Sequence, residues 1–179
     1  MDELEIYNVS LKNIKENKTF CFKLADDFFS AVESTDVQGG LIDATLTVTK
    51  KTMFFEFLFH LHGSIQVACD RCLELMSLPI NTEKTFFVKI GEEYCDNGDD
   101  TIVVSSESEE LSVAWLLYEM IALAIPIQHK HREGECEKTM ERCLQACLVD
   151  ETDTSERKNE DKATTDPRWD RLKSILDNN

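Results

Sequence analysis

No stretch of this chain stays apolar for the ~18 residues that a membrane-spanning helix needs. The nearest run, Leu111–Ile125, carries Glu119 inside it and is closed by Pro126. Met1-Asp2-Glu3-Leu4-Glu5 has neither the basic nor the apolar segment of a secretory leader, so a cytoplasmic address is expected. Positive charge is scarce: 19 Lys and Arg stand against 35 Asp and Glu, for a formal net charge of -16. Such a surface repels phosphate backbones unless a local basic patch overrides it, and it suits a basic protein partner better. There is no Gly-rich phosphate loop, no nucleophile elbow and no H-E-x-x-H pair. The many acids fall into no catalytic spacing, and no small-molecule substrate is evident. No internal repeat is visible either.

What is present is a hydrophobic content of 42%, enough for a core, in 179 residues that fit one domain with a tail. Leu4–Tyr7 and Thr19–Leu24 read as short strands, and Asp26–Val32 as a short helix with acids in its first turn. Ile42, Ala44, Leu46 and Val48 alternate with Asp43, Thr45, Thr47 and Thr49, the period of a half-buried strand. Met53, Phe55, Phe57, Phe59 and Leu61 line one face of the next strand, with Glu56, His60 and His62 on the other. Gly63-Ser64 reads as a turn, after which Ile65, Val67 and Cys69 continue the alternation. Another extended run is expected after the Cys turn, with Thr85–Ile90 at its end, and a short strand around Thr101–Val104. Short spacings between strands predict an antiparallel meander, barrel-like, because parallel crossovers need a dozen or more residues. Ser106–Glu109 fits a capping box for a helix over Leu111–Ala124. That helix is apolar on nearly every side and is expected to be central and buried. The predicted fold class is therefore α+β, an antiparallel sheet packed with one central helix, plus short C-terminal helices.

The predicted organisation is a folded domain over 1–149, an acidic disordered linker over 150–165 and a short amphipathic helix over 166–179. The linker is rich in Asp, Glu, Thr, Lys and Ser and almost free of large apolar residues. Asp166-Pro167 is a helix-start signal, and Trp169, Leu172 and Leu176 then share one helical face. That face either folds back on the body or fills a groove on a partner.

Seven cysteines without a leader point to a reducing compartment, where thiols act as ligands, catalysts or core residues. Cys69 and Cys72 form a C-x2-C turn at the end of a strand, which supplies two zinc ligands from one bend. His131 and Cys136, beyond the apolar helix, are the best second pair, with His129 as a substitute for His131. The cofactor so implied is a structural Zn2+. A thiol-redox pair is the alternative, although it would want its first thiol at a helix N-terminus. Two small residues packing a turn is the third reading. Cys143 and Cys147, four apart on a predicted helix with Leu144 and Leu148, are expected to face a core. His60 and His62 form an exposed strand pair, and Lys50-Lys51 beside Phe54 and Phe55 is the best basic-aromatic site for RNA.

The turn Cys69-Asp70-Arg71-Cys72-Leu73-Glu74 resembles the C-x-R-C-L-E turn of the YceD-like family, the large ribosomal RNA subunit accumulation proteins. Glu119–Pro126 is similar to that family's acid-then-apolar helix ending in L-A-x-P. His131 and Cys136 resemble its H-x4-C segment, and Asp166-Pro167-Arg168-Trp169 with Leu172 its D-P-R tail. In place of the richer cysteine cluster of some branches, this chain has Glu141–Cys147 without the glycines of a zinc knuckle. The resemblance implies a cytoplasmic bacterial factor, not an enzyme, that supports accumulation of large-subunit (23S) ribosomal RNA. Its expected partner is a basic ribosomal protein or the large-subunit rRNA precursor.

Overall fold

The computed structural model describes residues 4–96 and 100–147. The chain divides into two compact units, Met1–Glu137 and Lys138–Asn179. In the first, a 3-10 turn over Glu5–Tyr7 leads into β1 (Asn8–Ser10), β2 (Asn17–Leu24), α1 (Asp26–Ala31), β3 (Gly39–Lys50), β4 (Phe55–Ala68) and β5 (Leu75–Gly91). There follow β6 (Cys95–Asp96), β7 (Thr101–Ser105), β8 (Glu110–Ser112) and α2 (Ala114–Ala124). The second unit contains α3 (Lys138–Cys147), none of whose residues is buried. Cys143 and Cys147 are exposed, which corrects the expectation that they face a core. The expected linker and the partner-binding residues Trp169, Leu172 and Leu176 lie outside the described residues.

The main sheet has six strands in the order β2-β3-β4-β5-β7-β6, and a two-strand sheet pairs β1 with β8. The fold is α+β, as the alternating runs predict. The sheet is open, not barrel-like, since among the described residues its end strands β2 and β6 do not pair with each other. Nor is it wholly antiparallel: β7 runs parallel to β5, with Phe87 opposite Thr101 and Gly91 opposite Ser105. The chain reaches that register by crossing through β6, which pairs antiparallel with β7.

The core follows from period-two patterning. Ile42, Leu46 and Val48 of β3, Phe57, Phe59 and Leu61 of β4, and Ile80 and Val88 of β5 point to one face and are almost fully buried. Phe59 sits between Phe57 and Phe86, at ring-centroid distances of 6.3 and 5.7 Å. Burying each such side chain contributes about 1.5–3 kcal/mol. Helices α1 and α2 pack on the sheet, α1 against β2 and β3 and α2 against β5. The opposite face carries His60 and His62, both exposed, in register with Thr45 and Asp43 of β3.

Helix α2 departs from expectation in two ways. Leu116, Leu117, Met120 and Ile121 are buried, but Trp115 is 63% and Leu123 71% exposed, so only one face enters the core. It also starts later than the capping box suggests. The Ser105 hydroxyl accepts the Glu107 N–H at 3.3 Å, and the Glu109 N–H closes onto the Ser105 carbonyl at 3.0 Å. These bonds make a tight turn into β8, because serine offers the backbone the same service in a turn as at a helix start.

Candidate metal centre

Strand β4 ends at Ala68, and the chain turns through Cys69–Glu74 before β5 begins. The turn is closed by its own backbone: the Cys69 N–H donates to the Glu74 carbonyl and the Leu73 N–H to the Cys69 carbonyl, each at 2.9 Å. The second pair of donors arrives on the segment after α2, which Pro126 prevents from continuing as helix. Asp70 fastens that segment to the turn. Its N–H donates to the His129 carbonyl at 2.9 Å, and its Oδ2 accepts the His129 N–H at 2.7 Å.

The result is a Cys3His group. One donor atom each from Cys69, Cys72, His131 and Cys136 lies within 4.8 Å of the others. A tetrahedral zinc with Zn–S bonds of about 2.3 Å would set its sulfurs about 3.8 Å apart, so a small contraction suffices. The three cysteines are 0%, 4% and 5% exposed in chain order, and His131 is half-buried. Cys72 Sγ lies 3.3 Å from His131 Nδ1. The backbone N–H groups of Arg71 and His131 both donate to Cys69 Sγ at 3.4 Å. Such donors stabilise a thiolate, which is the form that binds metal.

The thiols differ in acidity accordingly. Burial pushes Cys69 up, but the N–H groups of Arg71, Cys72 and His131 and a hydrogen bond with Cys72 outweigh it and bring the thiol down to about 6. Cys72 is drawn below its ordinary value first by the Glu137 backbone N–H. Cys136 is pushed up to about 11, by burial first and then by its hydrogen bonds to Cys72 and Cys69. Hydrogen bonds to Cys72 and Cys69 raise His131. Four converging donors of this softness can hold a metal ion, and a full set of four protein ligands leaves no position for a substrate.

All four ligands expected from spacing are thus brought together, and His131 rather than His129 joins the cluster. His129 does other work: its Nδ1 lies 3.2 Å from the Pro126 carbonyl and its Nε2 3.6 Å from Asp70 Oδ1. Asp70 and His129 as a fastening pair were not read from the sequence. A carboxylate inside a C-x2-C turn is the one signal that pointed there. Elsewhere, Lys51 pairs with Glu56 at 3.0 Å, and Lys50 lies over the Phe55 ring at 5.6 Å. Phe54 turns instead to Phe87, at 5.6 Å between centroids. Among the described residues no helix is long and apolar enough to cross a membrane.

An open α+β sheet protein with a cysteine turn pinned to the segment beyond its second helix defines the class. The sequence profile of the large ribosomal RNA subunit accumulation protein YceD family matches residues 57–176, and the chain belongs to that family. The match takes in the turn, α2, His131 and Cys136. No curated protein and no solved structure matches the chain.

Proposed function

We propose that this chain is a non-enzymatic assembly factor of the large ribosomal subunit, which supports accumulation of the subunit's RNA by holding a basic ribosomal protein. One observation carries the reading: the family match over residues 57–176, whose name ties it to large-subunit RNA. Two others support it. A net charge of -16 favours encounter with a strongly basic protein and disfavours broad contact with RNA. The Cys3His group has three buried thiols and a half-buried imidazole, four donors in all, which suits a structural Zn2+ that braces a binding surface. The setting in this reading is the cytoplasm, where ribosomes are built.

Two binding assays at low salt test it. Proteins extracted from large ribosomal subunits are passed over the immobilised full chain, and large-subunit RNA fragments are tested by electrophoretic shift. Retention of basic proteins without a shift is the expected result. A shift without retention makes direct contact with the rRNA precursor the mode of action, and neither removes the assembly reading.

A thiol-redox role is the second reading, favoured by the descent of Cys69 to about 6. Against it, Cys69 is 0% exposed, and exchange requires access to the attacking sulfur. A catalysed disulfide reduction abolished by Cys69→Ser would make it the better reading.

A further inference from the structure

Leu73 follows the second cysteine of the turn with a φ of 64°, the left-handed region where glycine is the default and a bulky residue is an outlier. It gains little burial in return, since it is 69% exposed. A turn that needs this conformation would form more easily with glycine, so the leucine side chain has its use outside the chain.

Beside Leu73 is a cavity of about 390 Å³ with Val67, Ala122 and Ile125 as apolar walls and Asp36 and Asp70 as acids. No lysine or arginine lines it, whereas the cavities at Lys130 and Arg132 and at Lys51 and Lys89 are cationic. The outer face of α2 extends this surface. Trp115, 63% exposed, rests on Tyr118 at 5.4 Å between ring centroids. The Tyr118 hydroxyl lies 3.3 Å from Ser34 Oγ, which joins the helix to the loop bearing Asp36. Glu33 and Glu119 are exposed on that loop and that helix face. An exposed leucine at a cleft of mixed apolar and polar lining, an exposed tryptophan on the helix that supplies its Ala122 wall, and carboxylates as the nearby charges complement an apolar anchor flanked by cations.

We propose that Leu73, the cleft it lines and Trp115 on the helix that walls that cleft form the docking surface for a lysine- or arginine-rich protein segment that carries an apolar side chain. This deepens the preceding reading and rests on it, because it takes the partner to be a basic protein.

The test uses the full chain, purified without chelator, and the protein mixture extracted from large ribosomal subunits. Leu73→Gly relieves the backbone, so its melting temperature stays equal or rises, yet it retains at least tenfold less basic protein. Trp115→Ala behaves alike in binding, while Leu58→Ala on the opposite sheet face binds as wild type. A benzophenone amino acid at position 73 cross-links to a basic protein, and one at position 58 does not. Unchanged retention by Leu73→Gly, or cross-linking from position 58 alone, overturns the surface while leaving the basic-partner reading intact. If the wild-type chain itself retains nothing, that reading fails and the docking surface falls with it.

Discussion

Asp70 and His129 clasp each other twice, through the Asp70 N–H to the His129 carbonyl and through the His129 N–H to the Asp70 carboxylate, at 2.9 and 2.7 Å. Each residue neighbours a proposed ligand: Asp70 follows Cys69, and His129 stands two before His131. The clasp therefore ties the Cys69–Cys72 turn to the segment that carries His131 and Cys136, the two halves of the Cys3His group. Partners outside the ligand set that orient ligands in this way are typically worth 10–100-fold in metal affinity. Asp70→Ala should release zinc to a chelator about tenfold faster or more. Asp70→Asn, whose carboxamide oxygen still accepts the His129 N–H, should lie close to wild type. Equal release rates for Asp70→Ala and wild type would show that the clasp contributes nothing to the site.

The proposed ligands make a stoichiometric prediction. Protein purified without chelator should carry about one zinc per chain, and Cys69→Ser or Cys136→Ser should lose most of it. Removing the metal should lower the melting temperature, because four ligands on two distant segments cross-link the fold. Elemental analysis giving less than about one zinc per four wild-type chains would count against a resident metal.

Acidity predicts how that affinity depends on pH. Metal binding requires thiolates and so releases protons. Cys69, lowered to about 6, is already ionised at neutral pH, whereas Cys136, raised to about 11, still holds its proton. Affinity should therefore rise with pH, by at least about tenfold per unit between about pH 7 and 9, since Cys136 alone must release one proton there. The slope should steepen as pH falls through about 6, where Cys69 also protonates. In the metal-free chain Cys69 works in the same direction, its depressed thiol contributing stability above the unfolded value that is lost as pH falls through about 6, whereas the raised His131 and Cys136 work in the opposite direction. Competition against a zinc indicator across a pH series measures the slope, and a flat line would contradict the assignment of Cys136 as a ligand.

Much of this was legible in the sequence, and the exceptions have physical causes. The alternation of β3 and of the first half of β4 reports one buried face, so these strands stood out. The four side chains of the Cys3His group were legible as a set because few residue types bind zinc and C-x2-C spacing is short. Strand β5 was legible as an extended run after the turn but sharply only at its end: residues 75–79 alternate between exposed and half-buried, yet apolar Leu75 lies on the exposed side and blurs the pattern in the sequence. Pro79 is tolerated there because β7 pairs only with Phe87–Gly91, leaving that stretch of β5 at an edge. Parallel pairing of β7 with β5 depends on a crossover that local pattern does not encode. An apolar helix such as α2 looks buried from sequence alike whether the core or a partner takes its outer face. Asp70 left too small a mark, since one acid in a charged turn resembles any other.

Gly63 supplies the sharpest check on the sheet. Gly-Ser suggested a turn, yet β4 runs through it from Phe55 to Ala68, paired with β3 on one side and β5 on the other. The clue lay in phase: Phe57, Phe59, Leu61, Ile65 and Val67 are all buried, so the alternation never shifts across the glycine. Glycine is there for close approach. Its φ is 156°, and an added Cβ would collide with the Leu41 carbonyl oxygen and stand 2.9 Å from Ile42 Cα, both backbone atoms that cannot rotate away. Gly134, at a φ of 84°, has nothing within 4 Å of the same added atom. Both positions strain an alanine, but only Gly63 crowds it. Gly134→Ala should thus cost about 1–2 kcal/mol in urea unfolding, the price of the left-handed backbone alone. Gly63→Ala should cost at least about 3 kcal/mol, since two paired strands must part to admit a methyl group. Similar losses for the two would mean that β3 and β4 do not approach as described. The continuous strand that delivers Cys69 to the Cys3His group would then have to be abandoned.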